Sequence, residues 1–167
     1  MDFMFSRLKT SAMLLLVIIP FLSTVASSSQ QATTSTTTAF TTQRTLFSQP
    51  VTIDKAGIRY DCIYYPGHLI FTAGHGDMIT GSFTSDSPVG FYVVSESYAQ
   101  SWGVGTGLLK SCTPIGTKDD VLVAEPDVTS LSIAFTINNP GTYRFVFINS
   151  DKSNPVHINF NAGIVGS

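Results

Sequence analysis

Three histidines, two cysteines, a glycine-rich run and a group of carboxylates are the residues of this chain with chemistry to offer. His75-Gly76-Asp77 sets an imidazole beside a carboxylate, but a metal site needs three or four ligands and no third falls at a ligand spacing. A solvated turn is the expectation there, and His157, which alternates with apolar neighbours, is expected at the surface. Asp119, Asp120, Glu125 and Asp127 offer hard oxygen ligands, yet their spacing is not that of a known calcium loop. The run Gly103-Val104-Gly105-Thr106-Gly107 has a superficial likeness to a phosphate loop. It lacks the strand-then-helix frame and the lysine-serine ending, so a mobile loop is expected. No Gly-x-Ser-x-Gly elbow supports a lipase-type serine. These readings assign no catalytic residue, metal or cofactor, and the chain is not expected to be an enzyme.

Cys62 and Cys112 are the only cysteines. In an oxidising compartment they are expected to pair, which would leave Cys62 unfit as a nucleophile. Two free buried thiols or an intermolecular link are the alternatives. Tyr64, Tyr65, Tyr98 and Trp102 are a candidate ligand patch, since exposed aromatic rings stack on sugars. The same rings serve equally well in a core.

The chain begins with a charged start, then AMLLLVIIPFL from Ala12 to Leu22, then small residues through Ala26. That order is a secretory signal, with cleavage expected after Ala26. The apolar run is short for a membrane span and Pro20 interrupts it. Only an uncleaved segment would hold the protein to a membrane. Residues 27–45, SSSQQATTSTTTAFTTQRT, read as a Ser/Thr-rich flexible tether, because such a segment buries too little apolar surface to offset its ordering entropy. It is a candidate for O-glycosylation. No Asn-x-Ser/Thr acceptor occurs in the chain.

Residues 46–167, about 122 of them, are the size of one domain. Without residues 1–26 the chain keeps ten acids against seven bases, a net charge near −3. A general nucleic-acid binder carries a basic surface instead, so no nucleic-acid partner is expected.

Short alternating segments fill this domain. PVTID, IRYDCIYY, HLIFTA, MITGSF, PVGFYVVS, VLVA and SLSIAFTI read as strands, separated by Gly, Pro, Asp and Asn turns. Glu96–Trp102 is the one helix candidate, with Tyr98 and Trp102 four apart on one face. Gly141–Val165 reads as a β-hairpin. Tyr143, Phe145 and Phe147 would face Val156, Ile158 and Phe160 of the return strand. The expected fold is all-β, an antiparallel sandwich or jelly roll of eight or nine strands with one short helix. The first strand of the hairpin is apolar on both faces, since Val146 and Ile148 lie opposite its aromatic side. A two-layer sandwich needs only one apolar face, so something must cover them. The loop around Leu108-Leu109 is the favoured cover, ahead of residues 40–47 or another molecule.

GDMITGSF, PVGFYVVSESYAQSW, SLSIAFTI and GTYRFVFINSDKSNPVHINF together resemble the GOLD-like β-sandwich, the lumenal domain of transport-vesicle cargo proteins, and more closely small secreted archaeal proteins with the same pattern. The sequence departs from the cargo proteins in lacking their coiled coil and membrane span, and in placing Cys112 after the short helix. A weaker resemblance is to pre-peptidase C-terminal domains, which implies a binding accessory.

Three functions compete. The first is an exported, non-catalytic interaction module of the cell surface or medium, with an unknown protein or glycan partner. The second is a filament subunit that donates its N-terminal arm to a neighbour's sheet edge, and so forms a homo-oligomer. The third is a carbohydrate-binding accessory. A hydrolase ranks last.

Overall fold

A computed structural model describes residues 42–166. The signal segment and most of the tether lie outside the described residues. Seven antiparallel strands and one helix follow in the order β1 (Gln43–Ile53), β2 (Ile63–Tyr64), β3 (Ile70–Ala73), β4 (Met78–Ser95), α1 (Glu96–Trp102), β5 (Val121–Thr136), β6 (Gly141–Asn149) and β7 (Val156–Val165). The all-β expectation holds, with seven strands instead of eight or nine.

The count falls because two long strands each absorb two of the expected short ones. β4 continues through Thr84–Ser87, which reads as a turn, and β5 joins VLVA to SLSIAFTI. Their pairing breaks register between Thr84 and Val89. Pro88 falls in that break, and Pro126 lies between Glu125 and Val128, which both pair. A proline costs no ladder bond where the ladder is already interrupted. Asp127, beside Pro126, has a φ of 61°.

The bend sorts the remaining strands into two layers. The first half of β4 pairs with β7, with Ile79 opposite Ile164 and Phe83 opposite Phe160, and β1 continues that layer beyond β7. The second half pairs with β6, with Phe91 opposite Phe147 and Val93 opposite Phe145. β2 and β3 flank β6 on its other side.

This arrangement corrects the hairpin. β6 and β7 are not neighbours in the sheet order; each pairs with a different half of β4. The loop between them crosses from one layer to the other, and their aromatic faces meet across the core. The rings of Phe145 and Phe160 lie 5.1 Å apart at 69°, and those of Phe147 and Phe160 5.1 Å apart at 75°. Edge-to-face contacts of this kind are favoured over face-to-face stacking.

Two further boundaries move. IRYDCIYY contributes only Ile63–Tyr64 to a strand; Gly57–Arg59 turn, and Ile58 is 99% exposed. The tether loses its last three residues, Gln43–Thr45, to β1, where Gln43 pairs with Val165.

Helix α1 has the bounds its sequence predicts. The Ser95 side chain caps it by accepting a hydrogen bond from the Tyr98 amide, and Gly103 ends it at a φ of 104°. A Cβ on Gly103 would stand 2.1 Å from the Leu108 carbonyl oxygen, so glycine is required twice over at this position.

Candidate interaction surface

Val146 and Ile148 are covered from within the chain. They pack in a second cluster with Tyr64, Tyr92, Val94, Ala99, Trp102 and Val104, to which Leu109 adds a partly buried side chain. The helix and the loop after it therefore form a third layer over β6. The favoured cover, the loop at Leu108-Leu109, supplies only part of it. Trp102, 3% exposed, anchors the rest, its Nε1 donating to the Ser111 carbonyl at 2.9 Å.

The ion pair of Arg144 with Glu96 fastens the helix to β6 beside this cluster. Both side chains are mostly enclosed, at 8% and 19% exposure. Asn149 is fully buried at the end of β6 and donates to the Asp54 and Asn154 carbonyls while accepting from the Asp151 amide. Sequence reasoning passed over all three. An arginine and an asparagine inside an otherwise apolar strand were the available signal, since buried polar groups must be paired.

Cys62 and Cys112 form a disulfide, with Cα atoms 5.7 Å apart. It ties the segment before β2 to the loop after α1. The glycine run is also fastened. Tyr64 Oη accepts from the Gly105 amide at 2.7 Å and the Gly107 amide at 3.3 Å, and Val104 is buried. Gly103, Gly105 and Gly107 all have positive φ. The amides that would cradle a phosphate are instead held by a phenol.

The four candidate ligand aromatics do not form one exposed platform. Tyr64 and Trp102 are buried in the second cluster, Tyr98 packs at its margin with its ring 6.1 Å from Trp102, and Tyr65 lies against the main core on the other face. The acidic group is dispersed as well. Asp119 accepts from Asn139, Asp120 accepts from Thr117, and Glu125 and Asp127 sit at the β5 bend. Among the described residues no three His, Cys, Asp or Glu side chains converge as metal ligands. Asp77 accepts from the Gly74 amide at 2.7 Å, and His157 is exposed beside Thr52.

Burial raises the phenol pKa of Tyr92, offset in part by a hydrogen bond with Thr113, and Asp127 adds to the rise. Tyr143 is raised by burial and by the Asp119 charge. Asp151 is lowered, because the Ser153 amide and Asn154 donate to its carboxylate.

Five large apolar side chains are exposed among the described residues: Ile58 at 99%, Ile115 at 87%, Leu108 at 56%, Tyr60 at 44% and, at the start of β4, Met78 at 40%. Tyr60 and Leu108 line a cleft of about 220 Å³ over the disulfide, together with Arg59, Leu109 and Lys110. Asp61, in the same cleft, is bridged by Lys152 at 3.0 Å. Arg59 and Lys110 have no ion-pair partner among the described residues, so the rim carries surplus positive charge. No protein-family model and no curated protein matches the sequence.

Proposed function

We infer that the chain is an exported, non-catalytic interaction module, and that its disulfide-tied end meets an acidic, partly apolar protein surface. Exposed Tyr60 and Leu108 in a cation-rimmed cleft, with exposed Ile58 adjoining its Arg59 in sequence, carry this reading. Large apolar side chains are costly to leave in water, and Tyr60 and Leu108 share one cleft there, as a contact site requires. Arg59 and Lys110 would steer an acidic partner and set its orientation. Of the groups with chemistry to offer, both cysteines lie in a disulfide and the Gly105 and Gly107 amides donate to Tyr64. The disulfide accords with the oxidising compartment that an exported chain enters.

The test is binding of the purified exported protein to the surface of its producer cells. Saturable binding that weakens with salt is expected, and Ile58→Asp with Leu108→Asp should abolish it while leaving near-ultraviolet circular dichroism unchanged. Undiminished binding by that double variant would sink the reading. A glycan array on the same protein addresses the carbohydrate alternative.

A further inference from the structure

The two layers close differently along their two sides. On one side Phe47 of β1 packs edge-on to Phe145, and Ile63 and Tyr65 also pack against the core. On the other side stands β5 alone. It pairs only with β4 and, because it bends, it forms the free edge of both layers at once. Val121–Ala124 edges one layer and Ser130–Thr136 edges the other.

Between these two edges runs an open seam. One cleft of about 300 Å³ is lined by Leu122–Glu125 and Leu131–Phe135. A second of about 370 Å³ shares Leu122 and Phe135 and continues to Asp119 and Asn139. Leu122, Leu131 and Phe135 are only partly buried along it. The two edges contain no charged residue; Glu125 and Asp127 sit at the bend and Lys118 and Asp119 at the far end. Natural sheets guard long free edges with charges or proline, and β5 carries these, Glu125, Pro126 and Asp127, only at its bend. The outer edge of β1, by contrast, carries Arg44 and Pro50.

We propose that this seam takes an extended strand from residues 27–41 of a second copy of the chain, so that the protein self-assembles by strand addition. Three observations select that occupant. The segment SSSQQATTSTTTAFT is uncharged, and so are the two edges Val121–Ala124 and Ser130–Thr136 that it would lie between, the charges of the seam (Glu125, Lys118 and Asp119) standing at its ends, so its insertion buries no charge of its own. Its threonines are β-branched and suit an extended strand, and Phe40 is a single large apolar side chain for the gap at Leu122 and Phe135. It joins β1, at the opposite edge of its own layer from β5, with β7 and β4 between, so its point of attachment is not beside its own seam. At about 3.3 Å per residue, fifteen residues reach roughly 50 Å, ample for an adjacent molecule. Main-chain hydrogen bonds to the free edge supply affinity, as in other strand additions. This contact is separate from the disulfide end, and either can fail without the other.

The exported protein should elute as concentration-dependent assemblies in size-exclusion chromatography with light scattering, with fibres or chains in electron microscopy. Deleting residues 27–41 should give a monomer of unchanged melting temperature. A nitroxide on Thr37→Cys of an unlabelled copy should broaden the amide resonances of Leu122, Leu131 and Phe135 in an isotope-labelled wild-type copy. A wild type that stays monomeric at every concentration overturns the proposal, and so does a deletion variant that still assembles. Broadening at Ile58 and Leu108 instead would place the neighbour at the disulfide end and overturn it. Broadening only when label and isotope share one chain would show docking within a chain, against a second copy.

Discussion

Glu96 holds Arg144 through two parallel bonds, Nη2 to Oε1 at 2.7 Å and Nε to Oε2 at 2.8 Å. One residue opens the helix and the other lies in the central strand beneath it. The pair is a clamp on the third layer. Glu96 also sits in the first turn of α1, where a carboxylate is favoured by the helix dipole. A fork of this geometry is the strong form of a charge-assisted bond.

Breaking the clamp from one side strands a charge. Glu96→Ala leaves the Arg144 guanidinium enclosed and unpaired, and is expected to cost about 3–5 kcal/mol by urea unfolding. Arg144→Met together with Glu96→Gln should cost clearly less than that, because no buried charge remains. If the double variant is as damaged as Glu96→Ala, the pair contributes through packing and not through charge.

The disulfide closes a sequence separation of 50 residues. Chain entropy alone puts its contribution on the order of 4 kcal/mol. Cys62→Ser with Cys112→Ser should lower the urea midpoint accordingly, and hydrogen exchange should rise first in the loop after α1 while β6 and β7 stay protected. Equal loss of protection in β7 would show that the bridge supports the whole sandwich and not its third layer.

Tyr92 and Tyr143 should ionise above the ordinary phenol value. Burial raises both, with Asp127 and Asp119 adding to it. Their folded values stand above the unfolded value of roughly 10. The stability they contribute is therefore fully present below that value and is lost as the pH climbs through the folded ones. An ultraviolet titration should show tyrosinate absorbance still rising above the ordinary phenol value, and Tyr143→Phe should remove part of that late rise. A single step at the ordinary phenol value would contradict this.

Much of the architecture was legible because strand alternation reports burial. The alternation of Phe145 and Phe147 correctly gave an inward aromatic face, and the apolar outer face at Val146 and Ile148 correctly demanded a cover. Alternation does not say whether two such faces lie side by side or across a core. The Phe145–Phe160 contact is of the second kind, so β6 and β7 were read as a hairpin. Thr84–Ser87 and Pro126-Asp127 have turn composition because they bend, but the strands resume their pairing with each other beyond them. The seam was not legible either, since it depends on the two halves of β5 edging opposite layers. Local composition located the rings of Tyr64 and Trp102 without deciding their exposure, and burial removed them as a stacking platform.

Tyr64 is where the third layer and the glycine run are joined, and it supplies the most local prediction. Its ring is packed beneath α1 while its hydroxyl oxygen receives two amides, those of Gly105 and Gly107. Tyr64→Phe keeps the ring and removes only the acceptor. A buried donor left without a partner costs about 1–3 kcal/mol, but Gly105 and Gly107 are themselves exposed, so water can reach their amides. The loss should therefore fall at the low end, about 1 kcal/mol. The larger change should be in motion: backbone order parameters at Gly105 and Gly107 should fall while those of Trp102 and Val146 hold. A loss of several kcal/mol, or disorder spreading into α1, would mean that the phenol oxygen positions the helix as well as the loop.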